Sequence, residues 1–169
     1  MKENVSKQEH LPMIGVGPII VIPQLIITAV AILMSGMGKI YSRQIEGLKI
    51  PFVIIGMALI ILGAWMWFSS NFVSKIDVYI KENNLVTTGV YAMVRNPIYS
   101  AFFLVCIGVI FIESNISLFV LPVIYYVYMT VFLVKTEEKW LRKLYGQEYE
   151  EYCRNVNRCI PWIHLKKKK

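Results

Sequence analysis

The chain has 169 residues, which is enough for one domain. Hydrophobic residues make up 56% of it and charged residues only 17%, whereas a soluble domain has about a quarter of its residues charged. This balance argues against a soluble domain. The formal net charge of +7 owes much to the terminal lysines Lys166–Lys169. Because they follow apolar segments, we interpret them as lipid contacts or a topology signal and predict no nucleic-acid partner.

Four apolar segments follow one another along the chain and predict an all-α, polytopic membrane bundle of about four transmembrane helices. A helix rises 1.5 Å per residue, so about 20 apolar residues cross a hydrocarbon core of ~30 Å. The first segment exceeds a typical signal-peptide core and no small-x-small site follows it, so we expect a retained helix. The short polar stretch before the fourth segment predicts a tight helical hairpin. The segments are Pro18–Met37, Ile50–Phe72, Pro97–Ile112 and Ile116–Val134.

The distribution of Lys and Arg predicts the topology. Ten of these residues lie in Lys135–Lys169, which places the C-terminus in the cytoplasm by the positive-inside rule. With four spans the N-terminus shares that side, giving fifteen basic residues inside and three outside. The exceptions are Lys39, Arg43 and Lys49 on the outer loop. We therefore expect a multi-pass integral membrane protein, in the cytoplasmic membrane if the source is bacterial.

The cysteines and histidines show no ligand or catalytic spacing. Cys106 falls within an apolar segment, while Cys153 and Cys159 lie on the predicted cytoplasmic side. We interpret all three as free thiols and predict no metal site. His10 and His164 lie near opposite ends of the chain, without neighbours that would suggest a triad.

The polar segment before the third apolar segment contains helix-start signals and one unexplained charge. Pro97 suits the first turn of a helix, and Asn96 before it is a good N-cap residue. Arg95 then lies at the positive end of the helix dipole, which is locally unfavourable. Either snorkelling to a lipid phosphate or a bound anionic group would explain it. Gly89 permits backbone angles that other residues avoid.

The segment after the fourth apolar segment predicts an amphipathic helix that Gly146 interrupts. A membrane-surface helix explains most of its charges. Glu137 and Glu138 are different, because acidic residues directly after a span favour neither positive-inside topology nor anionic lipid. They suggest a site. The amphipathic face is formed by Leu141, Tyr145, Tyr149, Tyr152 and Val156.

Two motifs, read together, resemble a known family. One is Thr87-x-Gly89-x-Tyr91-x-x-Val94-Arg95-Asn96-Pro97-x-Tyr99, and the other is Glu137-Glu138-x-x-Leu141-x-x-x-Tyr145-Gly146-x-x-Tyr149-x-x-Tyr152, followed by Ile160-Pro161. The pair resembles the isoprenylcysteine carboxyl methyltransferases and phospholipid methyltransferases, which are membrane enzymes that use S-adenosylmethionine. The resemblance covers roughly residues 85–163. It divides one structural domain into residues 1–84, with a tail and two membrane helices, and a methyltransferase-like core, 85–169.

The resemblance implies S-adenosylmethionine-dependent methyl transfer to a lipophilic or membrane-embedded carboxylate, amine or thiol. Arg95 would bind the cofactor's carboxylate, and Glu137 or Glu138 its ammonium or ribose hydroxyls. Tyr91 and Tyr99 would line the purine or the sulfonium. The implied catalytic residues are Arg95, Asn96 and Glu138. The implied cofactor-binding residues are Val86, Thr88, Gly89, Tyr91, Arg95, Asn96, Pro97, Tyr99, Glu137 and Glu138.

The sequence departs from the family pattern at a few positions, which keeps other interpretations open. The family usually has His at the position of Asn96, Pro at Val90 and Gly at Ala101. Asn cannot titrate near neutral pH, so it cannot replace a histidine base. The alternatives are an NADPH-dependent membrane reductase of the sterol-reductase type, a catalytically silent protein on the same fold, and a membrane-anchored adaptor with a basic tail.

Overall fold

The computed structural model describes residues 16–41, 47–73 and 84–161, and the regular elements in these ranges are all helical. This confirms the predicted all-α class. The π-helical turn Ser69–Val73 extends α2, and the 3-10 turns Gly89–Ala92 and Ile116–Phe119 precede α3 and α4. In chain order the α-helices are α1, Gly17–Gly36; α2, Lys49–Phe68; α3, Pro97–Glu113; α4, Val120–Lys135; α5, Glu137–Tyr145; and α6, Gln147–Asn155.

Three helical stretches of the described chain are long and apolar enough to cross a membrane: Gly17–Gly36, Lys49–Val73 and Ile116–Tyr145. The integral membrane class is therefore confirmed. The third predicted span, Pro97–Ile112, corresponds to α3, which is a shorter apolar helix of 17 residues, so the count of four stays a prediction. The second predicted span, Ile50–Phe72, matches the helical stretch Lys49–Val73, in which the last turn, Ser69–Val73, is π-helical.

Helices α2 and α3 lie in backbone contact. A Cβ atom added at Gly56 would lie 2.5 Å from the carbonyl oxygen of Gly108, and one added at Gly108 would lie 2.6 Å from that of Gly56. Further along, a Cβ atom at Gly63 would lie 2.7 Å from the carbonyl oxygen of Ala101. Lipid tails are as apolar as leucine, so close van der Waals packing through small residues is what holds two membrane helices together. We call this contact the glycine seam.

Helix α1 packs against α3 and α4 with a partly polar face. Its buried residues are Ile20, Gln24, Thr28, Ala31 and Ser35, spaced at helical intervals along one side. The hydroxyl groups of Thr28 and Tyr125 lie 3.0 Å apart, and Asn115 Nδ2 donates to Ser35 Oγ at 2.9 Å. These hydrogen bonds join α1 to α4 and to the hairpin after α3. We call this face the polar seam.

A proline inside α1 explains a further bond in the polar seam. Pro23 has no backbone N–H, so the carbonyl oxygen of Ile19, four residues earlier, lacks its helical donor. The Tyr128 hydroxyl of α4 donates to that oxygen at 2.6 Å. The cross-helix bond therefore satisfies a backbone group that lipid could not.

The turn before α4 and the break after α5 follow the sequence predictions. Ser114 has a positive φ of 58° and ends α3, and Asn115 Oδ1 accepts from Ser117 N at 3.1 Å, which forms the predicted hairpin. After α5, Gly146, with φ 53°, separates α5 from α6 as its position in the amphipathic pattern predicted. These turns bring α5 and α6 back beside the start of α3.

The segment after α6 lies along the residues that precede α3. Arg95 N donates to Asn157 O at 2.8 Å, and Asn96 N donates to Arg158 O at 3.2 Å. The two polar segments singled out in the sequence are thus joined backbone to backbone. This contact positions the charged side chains described next.

Candidate active site

Glu138 is the centre of a buried charged cluster. Its side chain is 1% exposed, and both of its oxygens are bound by Arg158, whose Nε lies 2.5 Å from Oε1 and whose Nη2 lies 3.1 Å from Oε2. Arg95 Nη1 lies 3.4 Å from Oε1. Hydrogen bonding to Glu138 raises the pKa of the Arg158 guanidinium above its usual value. One carboxylate is therefore held between two cations.

Two polar atoms of this cluster are buried without a hydrogen-bond partner among the described residues: Arg95 Nε and the Tyr149 hydroxyl. The Arg95 side chain is only 7% exposed, and its Nη1 also donates to Cys153 Sγ. Burial, and next the negative charge of Glu138, raise the pKa of Tyr149 well above its usual range, so the phenol stays protonated. Both atoms can therefore donate a hydrogen bond to a ligand.

The balance of charge in the cluster favours an anion. Arg95 and Arg158 contribute two positive charges and Glu138 one negative charge, which leaves one net positive charge that is largely buried. A buried charge without a partner is costly, so an anionic group would be stabilised here. By contrast Arg142 and Glu150 form a half-exposed pair at 3.5 Å, as expected of solvated helix charges.

The surroundings of Arg95 exclude one of the two explanations that the sequence offered for its charge at the start of α3, which was snorkelling. Arg95 does not snorkel to lipid phosphate, since its side chain is buried against Glu138. The carboxylate, which is distant in sequence, offsets the unfavourable charge at the start of α3. A bound anionic group remains compatible with this arrangement.

Asn96 occupies the N-cap position of α3, as predicted, but its side chain does not cap the helix. Its Nδ2 donates instead to Arg158 O at 3.0 Å, because the segment after α6 lies within reach. Ser100 Oγ donates to the carbonyl oxygen of Asn96 at 2.9 Å. Pro97 is buried in the first turn, as expected. The observed role of the Asn96 amide nitrogen is to hold the C-terminal segment in place.

The two tyrosines of the first motif occupy different surroundings. Tyr91 is buried, and its hydroxyl lies 2.8 Å from Ser70 Oγ, while its carbonyl oxygen accepts from the Tyr152 hydroxyl at 2.5 Å. Tyr99, in α3, donates to Glu137. Glu137 Oε1 also accepts from Val16 N at 3.2 Å. Glu137 therefore links α1 and α3 to α5.

The remaining candidate residues lie in the segment before α3, but they do not belong to the charged cluster. Val86 is buried in an apolar group with Tyr91 and Met66, whereas Thr88 and Gly89 are exposed. Gly89 has a positive φ of 62°, which explains the glycine there. Of the sequence candidates, Arg95, Asn96 and Glu138 thus lie together, and Tyr99 and Glu137 form a second pair. Their roles toward a cofactor stay predictions.

Sequence reasoning missed Arg158, and it treated Cys153 and Cys159 only as free thiols. Both cysteines are free. Burial raises the pKa of Cys159 to about 12, so this thiol is inert at neutral pH. The signal for Arg158 was weak, because this residue lies between the second motif and the Ile160-Pro161 pair that follows it. Tyr149 was identified on the amphipathic face, but the pattern gave no sign that its hydroxyl is buried.

Comparison with known proteins identifies the family. A family model described as phospholipid methyltransferase matches residues 51–148. A protein-S-isoprenylcysteine O-methyltransferase of Schizosaccharomyces pombe is 29% identical over 154 residues, covering 78% of this chain and 62% of that protein. The Saccharomyces cerevisiae protein of the same name is 32% identical over 118 residues, 65% of this chain and 49% of that protein.

A probable protein-S-isoprenylcysteine O-methyltransferase of Oryza sativa subsp. indica is 27% identical over 117 residues, 64% of this chain and 61% of that protein. The chain thus spans about half to three fifths of the length of these curated relatives. No solved structure matches it significantly.

Proposed function

The chain belongs to the phospholipid methyltransferase family, and from that premise we propose that it transfers a methyl group from S-adenosylmethionine to a lipophilic acceptor in the membrane. The names of its relatives, protein-S-isoprenylcysteine O-methyltransferases, support an acceptor of this kind. The three long apolar helices would keep such an acceptor beside the charged cluster.

The observation that carries the proposal is the pair of unpartnered atoms at a site with net positive charge. Arg95 Nε and the Tyr149 hydroxyl are buried donors that lack acceptors among the described residues. The amino acid end of S-adenosylmethionine carries a carboxylate, whose oxygens would accept from both. A hydrogen bond to a charged group is worth about 1.5–3 kcal/mol. The residues present therefore fit the cofactor.

The roles of the two glutamates then differ. Both oxygens of Glu138 are engaged by Arg158, so Glu138 acts as a positioning residue that orients and neutralises Arg95. Glu137 is less buried and lies where α1, α3 and α5 meet. We assign to Glu137 the contact with the cofactor's ammonium or ribose hydroxyls. Val86, Thr88, Gly89, Tyr91, Pro97 and Tyr99 would line the remainder of the pocket.

S-adenosylmethionine supplies an electrophilic methyl group on a sulfonium. The chain contributes positioning and exclusion of water, which are the main requirements of an in-line displacement. Asn96 has no titratable group and its amide nitrogen is bound to Arg158 O, so it removes no proton from the acceptor. A carboxylate acceptor needs no base, because it is already ionised at neutral pH. This chemistry favours a lipophilic carboxylate over an ammonium.

Calorimetry on the purified protein in detergent tests the cofactor. We expect S-adenosylmethionine to bind and S-adenosylhomocysteine to compete with it, since both carry the carboxylate that Arg95 would contact. NADPH should not bind. Tight NADPH binding without any response to the methyl donor would replace this proposal with the reductase alternative.

We also propose that the C-terminus, and with it the charged cluster, faces the cytoplasm. The excess of Lys and Arg in Lys135–Lys169 supports this orientation. A single cysteine introduced after Leu165, in a background with Cys106, Cys153 and Cys159 replaced, should react with a membrane-impermeant maleimide only after the cells are opened. Labelling of intact cells would contradict the orientation.

A further inference from the structure

The three cysteines of the chain differ in how far they are open to solvent. Cys106 and Cys159 are each 1% exposed, whereas Cys153, on α6, is half-buried. A thiol buried in apolar surroundings is inert, while a partly exposed thiol beside a positive charge is of the reactive kind. Exposure therefore singles out Cys153, to which the proposed function assigns no role.

A buried positive charge lies against the sulfur of Cys153. Arg95 Nη1 donates to Cys153 Sγ, and the Arg95 side chain is 7% exposed. The charged cluster of Arg95, Arg158 and Glu138 carries one net positive charge. A neutral thiol is a weak acceptor and does not balance that charge. An oxygen anion on this sulfur would balance it.

The Tyr149 hydroxyl is a second, independent sign that an anion fits beside this sulfur. Tyr149 precedes Cys153 by four residues in α6, so the two side chains lie on the same face of the helix. Tyr149 is 1% exposed, and its hydroxyl has no hydrogen-bond partner among the described residues. Burial, then Glu138, then Cys153 raise the pKa of Tyr149, which keeps the phenol protonated and places it close to the thiol.

We propose that Cys153 is a site of reversible oxidation by hydrogen peroxide, and that the oxygen added to its sulfur occupies the anion position beside Arg95 and Tyr149. The thiol loses its proton, and the sulfur attacks one oxygen of the peroxide, so that an S–O bond forms as the O–O bond breaks. The sulfur gives up two electrons, and the products are a sulfenate, one water and one proton. A dithiol returns the two electrons and restores the thiol, releasing water.

Oxidation of Cys153 competes with the cofactor for the same groups. The carboxylate of S-adenosylmethionine is assigned to Arg95 and the Tyr149 hydroxyl, and the sulfenate oxygen engages both residues. Peroxide therefore switches cofactor binding off, and a dithiol switches it on again. This consequence rests on the proposed function, whereas the oxidation itself does not.

Peroxide treatment of the purified protein in detergent tests the modification without any cofactor. Dimedone, which traps sulfenic acids, should label Cys153 roughly tenfold faster than Cys106 or Cys159, since oxidation follows exposure and thiolate character. Mass spectrometry of the peptides measures the labelling. Without dimedone the oxidised protein should melt higher than the untreated protein, because a buried cation and an unpaired phenol gain an acceptor. Dithiothreitol should reverse this rise, which it would not do for methionine sulfoxide.

The Cys153→Ser variant separates this site from oxidation elsewhere in the chain. Serine keeps an acceptor at the position but takes no oxygen from peroxide, so the melting temperature should not rise. Cys106→Ala is the matched control, because it removes a different thiol and should keep the reversible rise. Calorimetry on the same samples should show S-adenosylmethionine binding weakened roughly tenfold or more by oxidation of the parent, and no such loss in Cys153→Ser.

Labelling of Cys153 no faster than that of the two buried cysteines would overturn the inference. So would a melting temperature that does not rise on oxidation, or that rises equally in Cys153→Ser. Full oxidation of Cys153 with unchanged binding of S-adenosylmethionine would overturn it as well, since the two would then use different groups. A reversible rise in a protein that never binds S-adenosylmethionine would count against the proposed function alone.

Discussion

Helices α1 and α2 contact α3 on opposite faces and by different means. The α2 side of α3 presents Ala101 and Gly108, and the α1 side presents Phe103 and Cys106; positions two residues apart on a helix lie about 200° from one another. The glycine seam brings two backbones into contact through small residues, whereas the polar seam is held by hydroxyl and amide groups. Close packing therefore holds α2 against α3, whereas hydrogen bonds between side chains also hold α1 in place.

The family match also distinguishes α1 from α2. Residues 51–148 include most of α2 but none of α1. The contribution of α1 thus rests on the structure itself, through Val16 at Glu137. We expect substitutions in the glycine seam to lower stability most, substitutions in the charged cluster to weaken ligand binding, and loss of a hydrogen bond in the polar seam to lower stability slightly.

The largest effect is expected from Gly56→Ala. The added methyl would lie 2.5 Å from the Gly108 carbonyl oxygen, which belongs to the backbone and cannot swing aside. Overpacking of this kind costs about 1–3 kcal/mol, and we expect the upper end of that range. Thermal unfolding in detergent measures it.

Gly36→Ala is the matched control, because nothing lies within 4 Å of the added methyl there. It should leave the melting temperature nearly unchanged. Equal effects of the two substitutions would mean that α2 and α3 do not hold each other in backbone contact.

The second expected effect concerns ligand binding. Arg95→Ala removes the proposed contact with the cofactor carboxylate. Glu138→Ala removes the carboxylate that holds Arg95 in position, and we expect this loss of positioning to outweigh the added net positive charge. Each should weaken S-adenosylmethionine binding roughly tenfold or more, since about 1.4 kcal/mol corresponds to a factor of ten. Calorimetry on monodisperse variants measures it.

Arg142→Ala and Glu150→Ala provide the comparison, because this pair is half-exposed and an exposed ion pair is worth about 0–1 kcal/mol. Both should bind the cofactor like the parent. If Arg95→Ala and Glu138→Ala do so too, the cofactor binds elsewhere.

The smallest expected effect tests the origin of one bond in the polar seam. Tyr128→Phe leaves the Ile19 carbonyl oxygen without a donor, which should cost about 0.6–1.7 kcal/mol, the range found between membrane helices. In a Pro23→Ala background the restored backbone N–H can serve that oxygen, so the same substitution should cost almost nothing. A cost that is equal in both backgrounds would show that Tyr128 stabilises α1 in another way.

Local chemistry made much of the fold predictable. The spans follow from apolar length, the start of α3 from Pro97, the hairpin from Glu113-Ser114-Asn115, and the break between α5 and α6 from Gly146. Each of these sequence signals determines the conformation of residues only a few positions away. The unusual charges at Arg95 and Glu138 were also visible, because each contradicts its local surroundings.

Contacts between residues that are far apart in the sequence could not be predicted from such local signals. No periodicity in the sequence relates Arg158 to Glu138. The Asn96 side chain was expected to cap α3, but it donates to the Arg158 carbonyl oxygen, which the segment after α6 brings within reach. The glycine seam depends on which glycines of two helices come into register. Gln24 looked like an ordinary residue of an apolar span until its buried surroundings were known.

The pairing of Asn157 and Arg158 with Arg95 and Asn96 has a consequence for biosynthesis. The hairpin of α3 and α4 is translated before Arg158, so it can enter the membrane while its charged cluster is still incomplete. Until Arg158 emerges, Arg95 is the one cation beside Glu138 among the residues that the structure describes. A chain released before Asn157 would thus be inserted in the membrane without a finished site. Assembly of the site therefore has to wait until the segment after α6 has been synthesised.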